Sequence, residues 1–363
     1  MGQKIGVGIV GAGMIADWHA TGIREHGGGE VVAVFDVVPE RARAAQERWG
    51  AARVAESVEA LVSDDAIGAV IVATPPAAHA EPTIAALQAG KHVLCEKPFA
   101  LDPAEATAMV QAAESSTGLL ACASSRMRIN PVQRTARRMI EAGQLGDVYY
   151  AHCRMWRLRG RPGHHYAPQS PWFLDSSLAG GGVIMDLGVY LIDAVLALLR
   201  NPKVVSVTTQ SRRVPEIPAP EAVLHDVEDH AVIMLQCDDG VSAVVETSWV
   251  TNFTAPSNTI VLGTEAGLGL DPFTKITARH AGDNDDSASF TAAEETLVAD
   301  PAYRGGNGFY LVTMRFLDDI AAGVQPETSG LEALEITRII DAAYRSAEAG
   351  ASIVLDRGPL TAP

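Results

Sequence analysis

The chain has 363 residues, which is too long for one typical hydrophobic core and predicts two domains. Its formal net charge of −16 would repel nucleic-acid phosphates and anionic lipids, so we expect neither nucleic acid nor a membrane as a partner. The four cysteines form no C-x-x-C pair, which favours reduced thiols over a zinc site or a disulfide framework. With no signal-peptide pattern and no uncharged apolar stretch long enough for a membrane span, the expected location is cytoplasmic.

Up to residue 123, short apolar runs alternate with amphipathic segments of helical length. The predicted strands are Ile5–Val10, Val31–Phe35, Ala69–Ala73, His92–Leu94 and Leu119–Ala121. The predicted helices between them are Met14–Glu25, Glu40–Trp49, Ser57–Leu61, Glu81–Ala89 and Pro103–Ser115. Strands that are apolar throughout and alternate with helices are typical of a parallel sheet covered on both faces. Residues 1–123 are therefore predicted to form an α/β, doubly wound domain of the Rossmann type.

The pattern changes in the remainder, residues 124–363. Helices are predicted at Ala136–Glu141, Val183–Leu199, Gly305–Ala322 and Leu331–Ala349. Short alternating strands are predicted at Val204–Thr209, His230–Gln236, Val241–Val250 and Asn258–Leu262. A basic cluster, Arg154 to Arg161, is interpreted as a loop near a site or a solvated edge. We expect an α+β domain on a predominantly antiparallel sheet, with one solvated face that is a candidate subunit interface.

A glycine-rich turn follows the first predicted strand and opens the first predicted helix. The residues Gly11-Ala-Gly13-Met14-Ile15-Ala16 fit G-x-G-x-x-G/A, in which the first glycine makes a tight turn and the second lets the backbone approach a pyrophosphate. The helix N-terminus offers N–H groups to the phosphates. Asp36, at the end of the second strand, is placed to bind ribose hydroxyls, although it could simply cap the next helix. Its charge favours NAD over NADP, while the later Arg41 and Arg43 keep NADP open as the alternative.

Two further patches carry groups suited to chemistry. Glu96-Lys97-Pro98 follows the fourth strand, where ligands of doubly wound sheets bind, and the Lys97 ammonium could stabilise an alcohol oxygen as it gains negative charge. Asp186 and Tyr190 are four residues apart on an apolar helix and share one face, with Asp193 on the same side. Such groups are costly to bury without a partner or ligand. Taken singly, these patches have equally good structural explanations. Lys97 could be a surface lysine, Asp186 could interact with the helix dipole, and the hydroxyl of Tyr190 could be hydrogen-bonded in the core.

Taken together and in order, the motifs resemble the glucose–fructose oxidoreductase / inositol dehydrogenase (Gfo/Idh/MocA) family. They are Gly11-x-Gly13-x-x-Ala16, Thr74-Pro75…His79, Glu96-Lys97-Pro98, Arg128-x-x-Pro131, Gly180-Gly-Gly…Asp186-x-x-x-Tyr190-x-x-Asp193 and the closing Phe316…Ile320…Gly323 and Ala342…Tyr344-Arg-Ser346. The resemblance covers nearly the whole chain and is weakest over 214–228 and 271–300. It implies a homo-oligomer, a dimer or tetramer, assembled through the C-terminal sheet.

The resemblance also implies site residues. The expected cofactor contacts are Gly11, Gly13, Met14, Ile15, Asp36, Thr74, Pro75, His79, Glu96 and Lys97, with His79 supporting the cofactor loop rather than doing chemistry. The expected substrate contacts are Arg128, Trp172, Asp186, Tyr190, Arg157 and His165; for Arg157 and His165 a solvated loop is an equal reading. Two positions depart from the family pattern: Tyr190 stands where many members have His, and Ser176 where relatives often place Lys.

The predicted activity is hydride transfer between nicotinamide and a hydroxyl-bearing carbon of a sugar or cyclitol-like substrate. Tyr190 would take the hydroxyl proton, Lys97 would stabilise the alkoxide and Asp186 would orient the substrate, so no metal is expected. An ordinary tyrosine pKa near 10, against about 6.5 for histidine, requires a nearby cation such as Lys97. Three alternatives are a non-catalytic NAD- and sugar-binding regulator, a redox-neutral NAD-dependent glycosidase, and an interaction module that would leave Asp36 and Lys97 unexplained.

Overall fold

Two compact units, each built from separated stretches of sequence, make up the described part of the chain. The computed structural model describes residues 4–214, 224–254, 257–280, 290–303 and 305–355. The first unit contains the described residues of 1–129, 172–181 and 306–338, and the second those of 130–171, 182–305 and 339–363. The sequence predicts a boundary at residue 123; the first unit also takes in 124–129 and two later segments. Of the stretches with the weakest family resemblance, 215–223 and 281–289 lie outside the described residues.

The first unit contains a six-stranded, wholly parallel sheet in the order β3-β2-β1-β4-β5-β6. Its strands are β1 Ile5–Val10, β2 Gly29–Phe35, β3 Arg53–Val54, β4 Ala69–Val72, β5 His92–Cys95 and β6 Leu120–Cys122. The helices between them are α1 Met14–His26, α2 Pro39–Trp49, α3 Val58–Val62, α4 Ala80–Gln88 and α5 Pro103–Glu114. The predicted Rossmann-type arrangement is confirmed, and only the short edge strand β3 was not predicted.

The later elements also follow in chain order. They are α6 Pro131–Glu141, β7 Val148–Leu158, α7 Ser176–Ala179, α8 Val189–Leu198, β8 Val204–Arg212, β9 His230–Cys237, β10 Ser242–Thr251, β11 Asn258–Gly263, β12 Gly267–Leu270, β13 Phe273–His280, β14 Phe290–Thr296, α9 Gly308–Ala322, α10 Gly330–Ala349 and β15 Ile353–Val354. A π-helical turn, Ile184–Gly188, precedes α8. Helix α6 begins five residues earlier than predicted, because Pro131 occupies its first turn and the Asn130 side chain caps it.

The first unit buries apolar side chains on both faces of its sheet. On β4, Val70 and Val72 join a cluster with residues of α4 and α5, whereas Ile71 points to the opposite cluster with α1 and α9. Alternation along a strand sends successive side chains to opposite faces, so a strand covered on both sides must be apolar throughout. This two-sided core fixes the carboxyl ends of β1, β2, β4 and β5, where the predicted cofactor residues follow.

The second unit contains a nine-stranded sheet in the order β14-β13-β12-β11-β7-β10-β9-β8-β15. All neighbours pair antiparallel except β7 and β10, which pair parallel, so the predicted predominantly antiparallel sheet is confirmed. One face is covered: Ala151 and Cys153 of β7 and Ala243 and Val245 of β10 are buried. The other face keeps Tyr150, His152, Arg154 and Trp156 of β7 only partly covered.

Strand β7 is the central strand of this sheet, and the sequence did not predict it. Its Arg154 and Arg157 belong to the basic cluster that was interpreted as a loop or solvated edge, and that interpretation was wrong for these two residues. Arg159 and Arg161 do follow the strand in irregular backbone. Because the long side chains on the partly covered face make β7 polar in composition, the alternation of buried and exposed residues along the strand was not recognised in the sequence.

The apolar helical run Ser176–Leu198 is long and apolar enough, by length and composition, to cross a membrane. The run contains Asp186 and Asp193, so the expectation that no uncharged apolar stretch of this length exists is unaffected. Its most apolar window is entirely buried within the protein, as in the core helix of a globular domain.

Candidate active site

The glycine turn after β1 has a backbone that only glycine adopts readily. Gly11 has a φ of 95°, and a Cβ atom there would lie 2.7 Å from the carbonyl oxygen of Ala73. At Gly13, by contrast, a Cβ would meet no protein atom within 4 Å, so the turn is open at this point. No side chain caps the following helix α1, whose first N–H groups therefore remain available. Met14 is among the exposed apolar side chains.

Asp36 follows β2 and holds the glycine turn through the backbone. Its Oδ2 accepts a hydrogen bond from the N–H of Ala12 at 2.8 Å, and its Oδ1 accepts one from the N–H of Val38 at 2.8 Å. The N-cap of α2 is Val38, not Asp36. The carboxylate thus lies beside the glycine turn. An open turn, an uncapped helix N-terminus and an adjacent carboxylate fit an NAD molecule bound across them.

His79 connects the loops that follow β4 and β5. Its side chain is fully buried, with Nε2 2.9 Å from the carbonyl oxygen of Thr74 and Nδ1 2.9 Å from that of Pro98. Burial lowers the pKa of His79 below the ordinary value for histidine. These contacts support the predicted role of His79 in shaping the loop that begins at Thr74 and Pro75.

Lys97 lies just beyond the carboxyl end of β5, and its backbone is held by the carboxylate of Glu96. Glu96 Oε2 accepts a hydrogen bond from the Lys97 N–H at 3.0 Å. Its Oε1 accepts one from His19 Nε2 at 2.7 Å and contacts the guanidinium of Arg126. Burial alone would raise the pKa of Glu96, but the charge of Arg126 and the hydrogen bond from His19 outweigh it and hold that pKa well below the usual range.

In the second unit, Asp186 lies in the π-helical turn and Tyr190 in the first turn of α8. Both are buried, with exposures of 8% and 9%, and Asp193 farther along α8 is fully buried. Asp186 Oδ2 accepts hydrogen bonds from Arg157 Nη1 at 3.0 Å and from the indole Nε1 of Trp249 at 2.9 Å. Isolated π-helical turns are frequent at functional sites, because the wide turn re-aims the side chains around it.

The turn that carries Asp186 is anchored at its start by Glu228. The carboxylate accepts hydrogen bonds from the N–H groups of Gly182 at 3.0 Å and Ile184 at 2.9 Å, and from the hydroxyl of Tyr344 at 2.9 Å. A Cβ at Gly182 would lie 2.0 Å from the carbonyl oxygen of Glu228, so this contact requires glycine. Burial raises the pKa of Glu228, and these hydrogen bonds oppose the rise.

The segment after β7 is fastened by a buried ion pair. Arg161 Nε lies 2.7 Å from Asp229 Oδ1, and both side chains are fully buried. His165 is exposed and stacks against His164, with ring centroids 4.1 Å apart. Although the side chain is exposed overall, desolvation by the protein around the ring and the neighbouring His164 lower the pKa of His165. Arg157 lies over the ring of Tyr166 at 5.2 Å as well as pairing with Asp186.

Two other predicted substrate residues belong to the first unit. Arg128 is buried, and its Nη1 donates to the carbonyl oxygen of Glu327 at 2.6 Å and to Glu332 Oε1 at 2.7 Å. These contacts give Arg128 a structural role; its contact with substrate stays a prediction. Trp172 is partly buried and stacks on Phe173 at 3.9 Å. Across the described ranges, no group of three or more His, Cys, Asp or Glu side chains is arranged to hold a metal ion.

Comparison with known families agrees with this geometry. The profile of an oxidoreductase family with an NAD-binding Rossmann fold matches residues 5–123, and that of the GFO/IDH/MocA C-terminal domain matches residues 133–269. The chain belongs to the Gfo/Idh/MocA family. It is therefore an oxidoreductase with an NAD-binding Rossmann domain, as the motifs indicated.

Characterised relatives of this Gfo/Idh/MocA protein act on sugars. It is 31% identical over 278 residues to D-glucoside 3-dehydrogenase of Escherichia coli K12, an alignment covering 73% of this chain and 77% of the relative. It is 31% identical over 337 residues to 1,5-anhydro-D-fructose reductase of Ensifer adhaerens, covering 89% and 90%. The structure of a levoglucosan dehydrogenase with NADH and levoglucosan shares the fold with a TM-score of 0.82, 22% identity and coverage of 98% and 100%.

Four residues that shape these groups were missed by sequence reasoning. His19, Arg126 and Thr313 contact or support Glu96, and Trp249 binds Asp186. Their partners lie from 30 to 294 residues away in the sequence, so no local spacing could reveal them. A weak signal exists for His19 alone, because an amphipathic helix that buries a histidine must supply it with a polar partner.

Proposed function

We propose that this protein oxidises or reduces a hydroxyl-bearing carbon of a small sugar or cyclitol, with NAD as the cofactor. The observation that carries the proposal is the placement of Lys97 at the carboxyl end of β5, with its backbone tied to the buried carboxylate of Glu96. A cation held at that edge of a doubly wound sheet is suited to an oxygen that gains negative charge. The sugar dehydrogenase and reductase activities of the two relatives point to the same class of substrate.

In the oxidising direction, Tyr190 accepts the proton of the reacting hydroxyl and Lys97 stabilises the alkoxide that forms. Bound NAD supplies the acceptor for the hydride that leaves the same carbon. Asp186 accepts a hydrogen bond from a neighbouring substrate hydroxyl and fixes the orientation of the ring. In the reducing direction the same residues work in reverse, with Tyr190 donating the proton.

Arg157 and Trp249 support the role of Asp186. Because both donate to Oδ2, the carboxylate is held in one rotamer although it is buried. A carboxylate with a fixed direction suits recognition of one stereochemical arrangement of hydroxyls. We propose Arg157, His165, Arg128 and Trp172 as further substrate contacts, and Met14, Ile15, Thr74, Pro75 and His79 as further contacts of the cofactor.

We also propose that the protein works as a homo-oligomer, a dimer or tetramer, in the cytoplasm. The partly covered face of the second unit's sheet supports this assembly. It carries Trp156 and Ile260, together with the more exposed Met234 at 49% and Ile276 at 44%. A patch of apolar side chains beside polar ones is typical of a subunit interface. The net charge of −16 disfavours nucleic acid and anionic membranes as partners.

The decisive experiment follows the absorbance of the reduced nicotinamide with NAD or NADP and a panel of cyclitols, aldoses, uronates and glycosides. We expect a signal with NAD and with a neutral sugar or cyclitol, and its loss in Lys97→Ala. Lys91→Ala is the matched control, since Lys91 precedes the same strand β5 and bonds to the carbonyl oxygen of Asp64. Tyr190→Phe should lower turnover by orders of magnitude and leave NAD affinity nearly unchanged.

Protein that binds NAD but gives no signal with any substrate would refute the dehydrogenase proposal. Release of a sugar from a glycoside, without net change of the cofactor, would identify a redox-neutral glycosidase. NAD binding with neither reaction would identify a regulator. Full activity of Tyr190→Phe would exclude Tyr190 as the proton acceptor and leave the rest of the proposal in place.

A further inference from the structure

A buried chain of hydrogen bonds joins helices α1 and α9 to the backbone of Lys97. His19, fully buried on α1, has Nδ1 2.7 Å from the hydroxyl oxygen of Thr313 on α9. Its Nε2 lies 2.7 Å from Glu96 Oε1, and Glu96 Oε2 accepts the N–H of Lys97 at 3.0 Å. Thr313 is also fully buried. Neither His19 nor Thr313 has a role in the chemistry proposed above.

We propose that His19 is a positioning residue for Lys97 and acts through Glu96, an inference that rests on the proposed function of Lys97. The carboxylate of Glu96 is an acceptor only, so the Nε2 facing it carries a proton and donates. In the neutral tautomer, Nδ1 then accepts from the Thr313 hydroxyl. The imidazole of His19 therefore fixes the orientation of the Glu96 carboxylate through Oε1. The other oxygen, Oε2, then fixes the position of the Lys97 backbone.

Arg126 alone does not replace this arrangement. It contacts the same oxygen, Oε1, that accepts from His19, and its guanidinium lies 4.9 Å from the ring centroid of Phe309. Without His19, the ion pair with Arg126 would keep Glu96 ionised. The orientation of the Glu96 carboxylate would then be held by Arg126 without the second donor to Oε1. Oε2 could then turn away from the Lys97 N–H. A displacement of about 1 Å at a catalytic group can lower turnover by about 100-fold.

The network also reaches the cofactor side of the unit. Helix α1 begins at Met14, directly after the glycine turn, and His19 lies less than two turns into it. The same helix thus presents its N-terminus to the dinucleotide and its buried histidine to Glu96. The site depends on α1 both for binding the cofactor and for placing Lys97.

The experiment compares His19→Leu, His19→Gln and His26→Leu in the full-length protein. Leucine fills the space without a donor, whereas glutamine supplies a side-chain N–H that can donate to Glu96. His26→Leu is the matched control, because His26 also lies on α1 and pairs with Asp318 on α9, at 2.9 Å, near the surface. The measurements are kcat, the KM for substrate, the Kd for NAD, and amide hydrogen exchange at Lys97.

We expect His19→Leu to lower kcat by about 10- to 100-fold with the NAD Kd within about twofold, a split that a general loss of structure would not produce. Exchange at the Lys97 amide should become at least about tenfold faster, as its acceptor is lost. His19→Gln should recover part of both, and His26→Leu should match the unmodified protein. If His19→Leu does not fold, Thr313→Val, which replaces the hydroxyl by a methyl group of similar size, should shift kcat and exchange in the same direction.

Unchanged kcat and unchanged Lys97 exchange in His19→Leu would overturn the inference. So would a lower kcat with no change in Lys97 exchange, since the histidine would then act by another route. A different outcome would refute the proposed function but not the role of His19. If the unmodified protein turned over no substrate in the panel but His19→Leu still accelerated exchange at Lys97, the hydrogen-bond chain would stand and the dehydrogenase proposal would fall.

Discussion

Replacing Glu228 tests how the turn that carries Asp186 is held. The carboxylate accepts from two backbone N–H groups and from the Tyr344 hydroxyl, all at 2.9 to 3.0 Å. In Glu228→Gln, one oxygen becomes an amide nitrogen that faces a donor, leaving one buried N–H unsatisfied. Such a group costs about 1–3 kcal/mol, so we expect the free energy of unfolding to fall by about that amount. Glu228→Leu would orphan all three donors and cost roughly three times as much.

The assay is urea unfolding followed by circular dichroism, with unfolding free energies compared at a fixed pH near 7. Tyr344→Phe removes one of the three donors and should cost about 1.5–3 kcal/mol, because the acceptor is charged. The double variant should be less destabilised than the sum, since both changes act on the same group. Glu294→Gln, at an exposed position on β14, is the matched control and should be neutral.

The refuting result is a Glu228→Gln protein as stable as the unmodified one. The three hydrogen bonds would then contribute nothing net to stability. Additive effects of Glu228→Gln and Tyr344→Phe would refute the shared contact instead. If the anchoring also serves catalysis, the substrate KM of Glu228→Gln should rise, because Gly182 and Ile184 lead directly into the turn of Asp186.

Further changes separate the roles of other groups. Gly11→Ala should weaken NAD binding and lower the melting temperature, because its φ of 95° costs a side chain about 1–3 kcal/mol and its Cβ would lie 2.7 Å from an oxygen. Gly13→Ala should keep the melting temperature and raise only the NAD Kd measured by titration calorimetry, as its Cβ meets no protein atom within 4 Å. Arg161→Met should lower the urea midpoint by the equivalent of about 3–5 kcal/mol, since it removes the guanidinium paired with the buried Asp229 and leaves that carboxylate with the Val214 N–H and His225. The depressed pKa of Glu96 means that its contribution to stability is present above its ordinary value of 4.5 and is lost as the pH falls below it toward the folded-state value. Acid unfolding of Glu96→Gln should lack that component.

The sequence predicted the first unit well because each of its signals is local. Strand β4 is apolar along its whole length, and the glycine turn, Asp36 and Lys97 each follow a strand closely. In a parallel sheet the carboxyl ends of the strands meet at one edge, so local positions become spatial ones without further information. The rule applies even though β1 and β5 are separated in the sheet by β4.

The second unit was harder to predict because its elements depend on partners far away in the sequence. β7 pairs in parallel with β10 and antiparallel with β11, 92 to 115 residues later, and its partly covered face carries the polar and aromatic side chains of Tyr150, His152, Arg154 and Trp156. The edge strand β14 is largely exposed, and neither it nor its neighbour β13 carries a strong apolar pattern. The π-helical turn is invisible to periodicity, since one extra residue in an apolar helix leaves no distinctive residue type.

The burial of Asp186 does not by itself indicate a bound ligand. A carboxylate on an apolar helix is costly to bury without a partner or a substrate. The structure supplies the partner, since Arg157 and Trp249 both donate to Oδ2, so the cost of burial is met by the protein itself. Substrate recognition by Asp186 is therefore inferred from the orientation that Arg157 and Trp249 give its carboxylate, and not from its burial. Trp249→Phe removes one donor to this oxygen at a residue that is not itself a proposed substrate contact. If Asp186 is purely structural, this variant should lose stability with the substrate KM unchanged; if Asp186 binds substrate, the KM should rise.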